Sequence, residues 1–383
     1  MGWSNLFYLD SAATTKPKKE VIEVMMPYFT ERWYNPSSLY SPAPKIKKDI
    51  EEARNTIGRF IGAEGKEIFI TSSGSEGNCW AIQGFINRCL RTNKEAAVIT
   101  SVIEHKSIME CVKHTNVNVY YVDVDKHGSV DMNMLESLIH EAYNEANDIL
   151  VSIQFANNEI GTIQNVSRIS ELVHRYDGVF HTDAVQAIGQ IPIDVKELDV
   201  DMLTCSGHKL GAPKGIGFLY IKNGIEIDPL IYGSQMDSMR GGTENVPYII
   251  GLAKAIELCD VSEEKIKERY NKKNYFIDKI ESNFDCKINR NLNKLPNNMS
   301  LTFFKNITGE SLMYTLDCSK IKVSTGSACN ARSIEPSYVL KAIGLSDSEA
   351  MKTIRVTLSD DITYEDINRV VDEIYKAIKL IEI

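Results

Sequence analysis

Short apolar runs alternate with amphipathic stretches through about the first 250 residues, the pattern of a mainly parallel sheet flanked by helices. Strands are predicted at residues 68–71, 97–101, 117–122, 149–154, 178–182, 202–205 and 217–221. Between them, residues 45–61 place Ile46, Ile50, Ala53, Ile57 and Ile61 on one helical face. The proline-rich piece at 35–44 interrupts this pattern and is expected as an ordered loop. A long helical pattern runs from Pro247 to Phe284, after which strand-like pieces lead to a last helix over 363–380. There Tyr364, Ile367, Val371, Ile374 and Ile378 form the apolar face, with Thr363 as N-cap and Asp366 three residues on. The change of element order marks a second domain.

The chain has 383 residues, two to three times a typical single domain, which also favours two cores. Forty-three Lys and Arg face 52 Asp and Glu, a formal charge of -9 with no long basic run, so direct nucleic-acid binding is not expected. No apolar run approaches the roughly 18 residues of a membrane span, and the first residues lack a signal-peptide pattern. Neither a membrane nor an export role is expected. The eight cysteines are scattered, with no C-x-x-C and no metal-like pairing with the seven histidines, so a reducing cytoplasm and no metal site are the expectations.

Candidate chemistry sits at the ends of the predicted strands. Ser206-Gly207-His208-Lys209 follows strand 202–205 and precedes a Gly-rich stretch. A lysine held partly desolvated there suits Schiff-base formation, whereas the plainer reading is a surface lysine in a turn. Asp183 follows strand 178–182, where it can pair with a protonated pyridine nitrogen or simply cap a helix. Strand 68–71 runs through Gly74 and Ser75 into a helix start, which offers an anion site or an ordinary N-cap. His105 after strand 97–101 can stack on a flat ring and shuttle protons, although most isolated histidines do neither. Asn158 follows strand 149–154.

With those residues in view, the sequence resembles the pyridoxal-phosphate cysteine desulfurases of the class V aminotransferase superfamily. The resemblance covers nearly the whole chain. It is carried by Tyr8-Leu9-Asp10-Ser11-Ala12-Ala13-Thr14-Thr15, Asn35-Pro36-Ser37-Ser38, Glu104-His105-Lys106, Asn157-Asn158-Glu159-Ile160-Gly161, Asp183-Ala184-Val185-Gln186, Ser206-Gly207-His208-Lys209 and Arg240-Gly241-Gly242-Thr243-Glu244-Asn245. Ser324-Thr325-Gly326-Ser327-Ala328-Cys329 resembles the first of the two desulfurase groups, the nitrogen-fixation and iron-sulfur housekeeping type.

The resemblance implies that Lys209 holds the aldehyde of pyridoxal 5'-phosphate, Asp183 its pyridine nitrogen, and that His105 stacks on the ring. Asn158 and Gln186 would lie near its phenolic oxygen. Gly74, Ser75, Ser206 and His208 would form the phosphate site, and Thr243 would reach the phosphate of a neighbouring subunit in a homodimer. Arg355, helped by Asn35, would grip the substrate carboxylate, a bidentate task suited to a planar guanidinium. Cys329 would take sulfur from L-cysteine as a persulfide, leaving L-alanine. Its small polar neighbours suit a reactive thiol, while Cys318 is read as structural.

The chain departs from the family where Leu39, Tyr40 and two prolines follow Asn35-Pro36-Ser37-Ser38 in place of a common histidine and glycine. It departs again where Asn330-Ala331-Arg332 follows Cys329, and Ser73 stands where many members have a different small residue. The implied fold is α/β, the PLP-dependent transferase fold of the aspartate aminotransferase-like class V type. A large mainly parallel-sheet domain would cover 15–255, and a small α+β domain would combine 1–14 with 256–383. The persulfide would pass to an acceptor protein such as an iron-sulfur scaffold or a tRNA-thiolation relay. The rival readings are an aminotransferase, a selenocysteine-selective lyase, and a cofactor-binding docking protein without turnover.

Overall fold

The computed structural model describes residues 6–146, 148–289, 293–326 and 335–381. A short first strand, β1 (Phe7–Tyr8), precedes a seven-stranded sheet. That sheet contains β2 (Ile68–Thr71), β3 (Ala96–Ser101), β4 (Asn118–Val122), β5 (Asp148–Ser152), β6 (Val179–Asp183), β7 (Met202–Ser206) and β8 (Gly217–Ile221). The spatial order is β2-β8-β7-β6-β5-β3-β4. Strands β4, β3, β5, β6 and β7 pair in parallel, while β8 runs antiparallel to both β7 and β2. Strand β2 therefore points the same way as β7, and its carboxyl end lies on the same rim as those of the parallel strands.

The strands read as continuous apolar runs because both faces of the sheet are covered. Alternate residues divide between two cores, as the two-residue period of a strand requires. In β3, Ala97 and Ile99 join Phe180, Phe218, Ile57 and Leu252 on one face. Ala96 and Val98 join Trp80, Phe85 and Leu219 on the other.

A third core gathers Leu9, Phe276, Ile280, Leu301, Phe303, Ile354, Val356, Ile367 and Ile374. It lies beside the strands β9 (Cys286–Ile288), β10 (Asn298–Phe303), β11 (Ile321–Lys322), β12 (Ser324–Thr325) and β13 (Thr353–Thr357). The antiparallel order is β12-β13-β10-β9, and β11 pairs in parallel with β1. The segment after β1 ties this region to the large sheet: Leu9 N donates to Lys322 O at 2.9 Å, and Thr15 N donates to His208 O at 2.9 Å.

Several predicted boundaries shift, and three of these shifts matter here. The helix expected over 45–61 is Pro42–Phe60, so part of the proline-rich piece is helical. Prolines are tolerated there because the first-turn N–H groups have no intrahelical acceptor. The pattern from 247 to 284 divides into Val246–Glu257 and Glu263–Asn283, where Ser262 caps the second helix by accepting from Lys265 N. Strand β6 runs one residue further than expected, so Asp183 is its last residue. Thr363 and Asp366 form the expected reciprocal cap, Asp366 N to Thr363 Oγ1 at 3.1 Å and Thr363 N to Asp366 Oδ2 at 3.0 Å.

Candidate active site

Strand ends place the candidate residues on one rim, where ligands of open α/β sheets bind. Asp183 is buried at the end of β6. Its Oδ2 accepts from Asn78 Nδ2 at 2.7 Å and its Oδ1 from Val185 N at 2.9 Å. A carboxylate oxygen has two lone-pair directions, so each keeps acceptor capacity for a further donor. Asn78 comes from the helix Gly74–Arg91 and also donates to Ser107 Oγ at 2.9 Å.

Ser107 links Asn78 to His105. His105 caps the helix Lys106–Lys113, with its Nδ1 accepting from Ser107 N at 3.1 Å and lying 2.8 Å from Ser107 Oγ. Because Nδ1 accepts from a backbone N–H, the neutral ring carries its proton on Nε2. Burial lowers the His105 pKa; the Lys209 and Lys106 charges act the same way, and Asp183 opposes them. Asp183 and Lys209 thus both lie within electrostatic reach of His105.

Lys209 ends the short turn Gly207–Lys209 that follows β7. Its Nζ donates to the carbonyls of Ala12 and Ala13, the latter at 2.7 Å. Gln186 Nε2 donates to the same Ala12 carbonyl at 3.1 Å. The 9–15 segment therefore holds the amine of Lys209 and the amide of Gln186 at one point. His208 Nδ1 lies 3.0 Å from Thr14 Oγ1. Burial, with the charges of Lys209 and Lys214, pushes its pKa down to about 4, so it is neutral at pH 7.

The helix Gly74–Arg91 starts beside these groups. Ser73 caps it by accepting from Glu76 N at 3.1 Å, while the first-turn N–H groups of Gly74 and Ser75 have no acceptor in their own helix. Gly74 lets the helix end approach closely: a Cβ there would lie 2.8 Å from Val185 Cγ2 and 3.3 Å from the Cβ of buried Ser206. Ser75 is exposed at this end. Arg240 Nε donates to Glu76 Oε1 at 3.0 Å, bringing the loop that carries exposed Thr243 toward the same helix start.

Arg355, in β13, is buried; its Nη2 donates to Asp10 Oδ1 and its Nη1 to the backbone carbonyl of Asn158 at 3.2 Å. Asn35 is exposed, and its Oδ1 accepts from Ser37 N at 2.9 Å. Among the described contacts, neither Asn35 nor Thr243 touches Lys209, His105 or Asp183. Cys329 lies outside the described residues. Cys318, read from sequence as structural, is exposed at the end of the helix Gly309–Cys318. No cluster of metal-ligating residues and no helix long and apolar enough to cross a membrane occurs among the described residues.

Several participants carried no assignment from sequence: Asn78, Ser107, Asp10, Glu104 and Glu159. Asn78 lies one helical turn after Gly74, a spacing that returns it to the face toward the strand ends. The buried Glu104 accepts from Ser101 Oγ at 2.5 Å and from Gln154 N at 3.0 Å, tying the segments after β3 and β5 together. Burial pushes its pKa up to about 8.

The arrangement fits pyridoxal phosphate by its chemistry. A buried acceptor lies at one end, a helix start with Ser206 and neutral His208 at the other, and an amine lies between, with an imidazole alongside. The class-V aminotransferase family pattern matches residues 7–370. The chain is 43% identical over 379 residues to "Cysteine desulfurase IscS" of Dictyoglomus turgidum, covering 97% of this chain and 94% of that one. A solved structure called "NIFS-like protein" superposes with a TM-score of 0.89 at 33% identity, over 98% of this chain and 100% of that one. "SspA in complex with cysteine" superposes with a TM-score of 0.80 at 34% identity, over 92% and 98%. A match that spans nearly the whole chain means that the protein belongs to the class-V aminotransferase family, among its cysteine desulfurases.

Proposed function

We propose that the protein uses pyridoxal 5'-phosphate to convert L-cysteine to L-alanine, leaving the sulfur on Cys329 as a persulfide. The balance is cysteine plus Cys329–SH giving alanine plus Cys329–S–SH. The observation that carries this reading is the convergence of Lys209, His105 and Asp183 on one rim, with the buried Arg355 guanidinium held by Asp10 and Asn158.

Pyridoxal phosphate, when bound, supplies an electron sink for chemistry at the substrate α-carbon. Asp183 would hold a proton on the ring nitrogen through its remaining acceptor capacity. Asn78 keeps that carboxylate oriented, as a partner outside the reacting groups does in other preorganised sites. Lys209 Nζ would take and return the α-proton as general base. His105, with its proton on Nε2, would stack against the ring and offer an acid beside it. Gly74, Ser75, Ser206 and His208 would bind the phosphate, Gln186 and Asn158 would flank the ring, and Arg355 with Asn35 would orient the carboxylate. The Cys329 thiolate would attack the substrate sulfur as its bond to carbon breaks.

In the same reading the protein is a cytoplasmic homodimer in which Thr243 completes the partner's phosphate site. The sulfur acceptor is a protein of iron-sulfur assembly or tRNA thiolation. Residues 15–255 form the large domain, and 1–14 with 256–383 the small one, a division supported by the separate core around Leu9, Phe276 and Ile354. Replacing Cys329 tests the whole proposal. Cys329→Ala should still bind cysteine yet release sulfide and alanine at least 1,000-fold more slowly in the presence of reductant, because a reaction path is removed. Turnover at the parent rate would replace the desulfurase mechanism with a thiol-independent one.

A further inference from the structure

A second pair of thiols lies behind the strand-end crevice. Cys79 is in the second turn of the helix Gly74–Arg91, and Cys111 is in the helix Lys106–Lys113. Two contacts fix how the helices cross. Cys79 Sγ lies 3.7 Å from the carbonyl of Ser107, and Gln83 Nε2 lies 3.8 Å from Cys111 Sγ. Ser107 and Cys111 are one turn apart, as are Cys79 and Gln83, so Cys79 and Cys111 lie on the facing surfaces of one helix crossing, along its diagonal. Each thiol shifts the ionisation of the other, so the two groups are near enough to interact.

The two environments differ. Cys111 is only 8% exposed and packs among Trp80, Phe85 and Val112, whereas Cys79 is half-buried and reachable from solvent. The neighbouring Cys111 thiol lowers the Cys79 thiol to about 7, with burial opposing, while Cys111 is held protonated. A thiolate with partial access beside a protonated, sheltered second thiol is the arrangement of an attacking and a resolving cysteine.

We propose that Cys79 and Cys111 are an oxidisable pair that hydrogen peroxide converts to a disulfide joining the helices Gly74–Arg91 and Lys106–Lys113. In the first step the Cys79 thiolate attacks one peroxide oxygen, the O–O bond breaks, and Cys79–S–OH forms with loss of hydroxide. Cys111 sulfur then attacks Cys79 sulfur, the S–O bond breaks, and the hydroxyl leaves as water with the Cys111 proton. Overall two thiols and one peroxide give one disulfide and two waters. A low-molecular-weight thiol reverses it. Asn78, which holds Asp183, precedes Cys79 directly, and Ser107, which holds His105, has its carbonyl 3.7 Å from Cys79 Sγ, so closure takes place beside the groups that position the site.

The test is non-reducing peptide mapping of the reduced full-length protein after a few equivalents of hydrogen peroxide and thiol alkylation. The expected result is one cross-linked peptide pair containing Cys79 and Cys111, lost on treatment with dithiothreitol. In Cys111→Ser, Cys79 should carry sulfenic acid that dimedone traps. Cys111→Ala should slow iodoacetamide alkylation of Cys79 at pH 7 at least fivefold, because the neighbouring thiol that favours its thiolate is removed. Recovery of both cysteines as alkylated thiols under peroxide doses that oxidise other cysteines of the chain would overturn the proposal, as would a Cys79 alkylation rate indifferent to Cys111→Ala.

Discussion

Arg355 donates from Nη2 to Asp10 Oδ1 at 2.7 Å, a contact between residues 345 positions apart in the chain. Arg355 is 5% exposed; its Nη1 is on the Asn158 carbonyl and its Nε has no partner among the described atoms. It is thus aimed before any substrate arrives, which lowers the cost of ordering it on binding. Lysine has one point charge and no fork. Arg355→Lys should raise the KM for L-cysteine about 10- to 100-fold, the equivalent of ~1.5–3 kcal/mol for a charge-assisted hydrogen bond. Asp10→Asn keeps the shape but weakens the hold and should raise KM several-fold. Steady-state kinetics of both variants would check the order, and an unchanged KM in Arg355→Lys would remove Arg355 from substrate binding.

Asn78 orients Asp183, and the effect of removing it should appear in cofactor affinity. Asn78→Ala deletes a 2.7 Å bond to a buried carboxylate, worth ~1.5–3 kcal/mol when one partner is charged. The dissociation constant for pyridoxal phosphate should rise about tenfold, and that of Asp183→Ala by more, as read by fluorescence titration of the apoprotein. Equal affinity in Asn78→Ala and the parent would show that Asp183 holds its position without it.

The strand-end residues were legible from sequence because each lies next to an apolar run whose end the pattern marks. Lys209 follows β7, His105 follows β3, and Asp183 closes β6. What was not legible depends on side chains that meet only after folding. Asp10 and Arg355 meet because β1 pairs with β11 and the segment after it lies against β13: Thr357 N donates to Leu9 O at 2.8 Å. No local period encodes that contact. Glu104 and Glu159 lie within the motifs that carry the family resemblance, but a charged residue beside a strand reads as solvated until the packing that buries it is known. The helix start at Pro42 was missed for a local reason, since proline was taken as a break where the first turn admits it.

Lys209 should be the point of covalent attachment of the cofactor. It follows β7 with its amine on the Ala12 and Ala13 carbonyls, and its charge reaches the His105 ring. Borohydride treatment of the loaded protein should add a pyridoxyl group to one peptide, the one containing Lys209, by mass spectrometry. Lys209→Ala should lose that adduct. A pyridoxyl group fixed on another lysine of the parent protein would reassign the site.

The Glu159 carboxyl should set part of the stability profile against pH. It is buried, it accepts from Ser337 Oγ at 2.5 Å, and burial pushes its pKa up to about 7, with Ser337, Arg355 and Lys106 opposing. The unfolded value is about 4.3. Below that value both states hold the proton and the group contributes no pH dependence. Between about 4.3 and 7 the folded state keeps a proton that the unfolded state has released, so stability falls as pH rises through this window. Above 7 both states are ionised and the loss is complete, on the order of 3 to 4 kcal/mol at 1.36 kcal/mol per pH unit. Glu104, whose pKa is about 8, adds a parallel slope of its own, so the parent profile alone cannot assign the effect. Glu159→Gln separates them, because the amide oxygen still accepts from Ser337 but does not ionise. Relative to the parent, Glu159→Gln should match it in urea midpoint near pH 5 and exceed it near pH 8. Profiles that run parallel from pH 5 to 8 would mean that Glu159 is ionised throughout, with its charge compensated by Arg355 and Lys106.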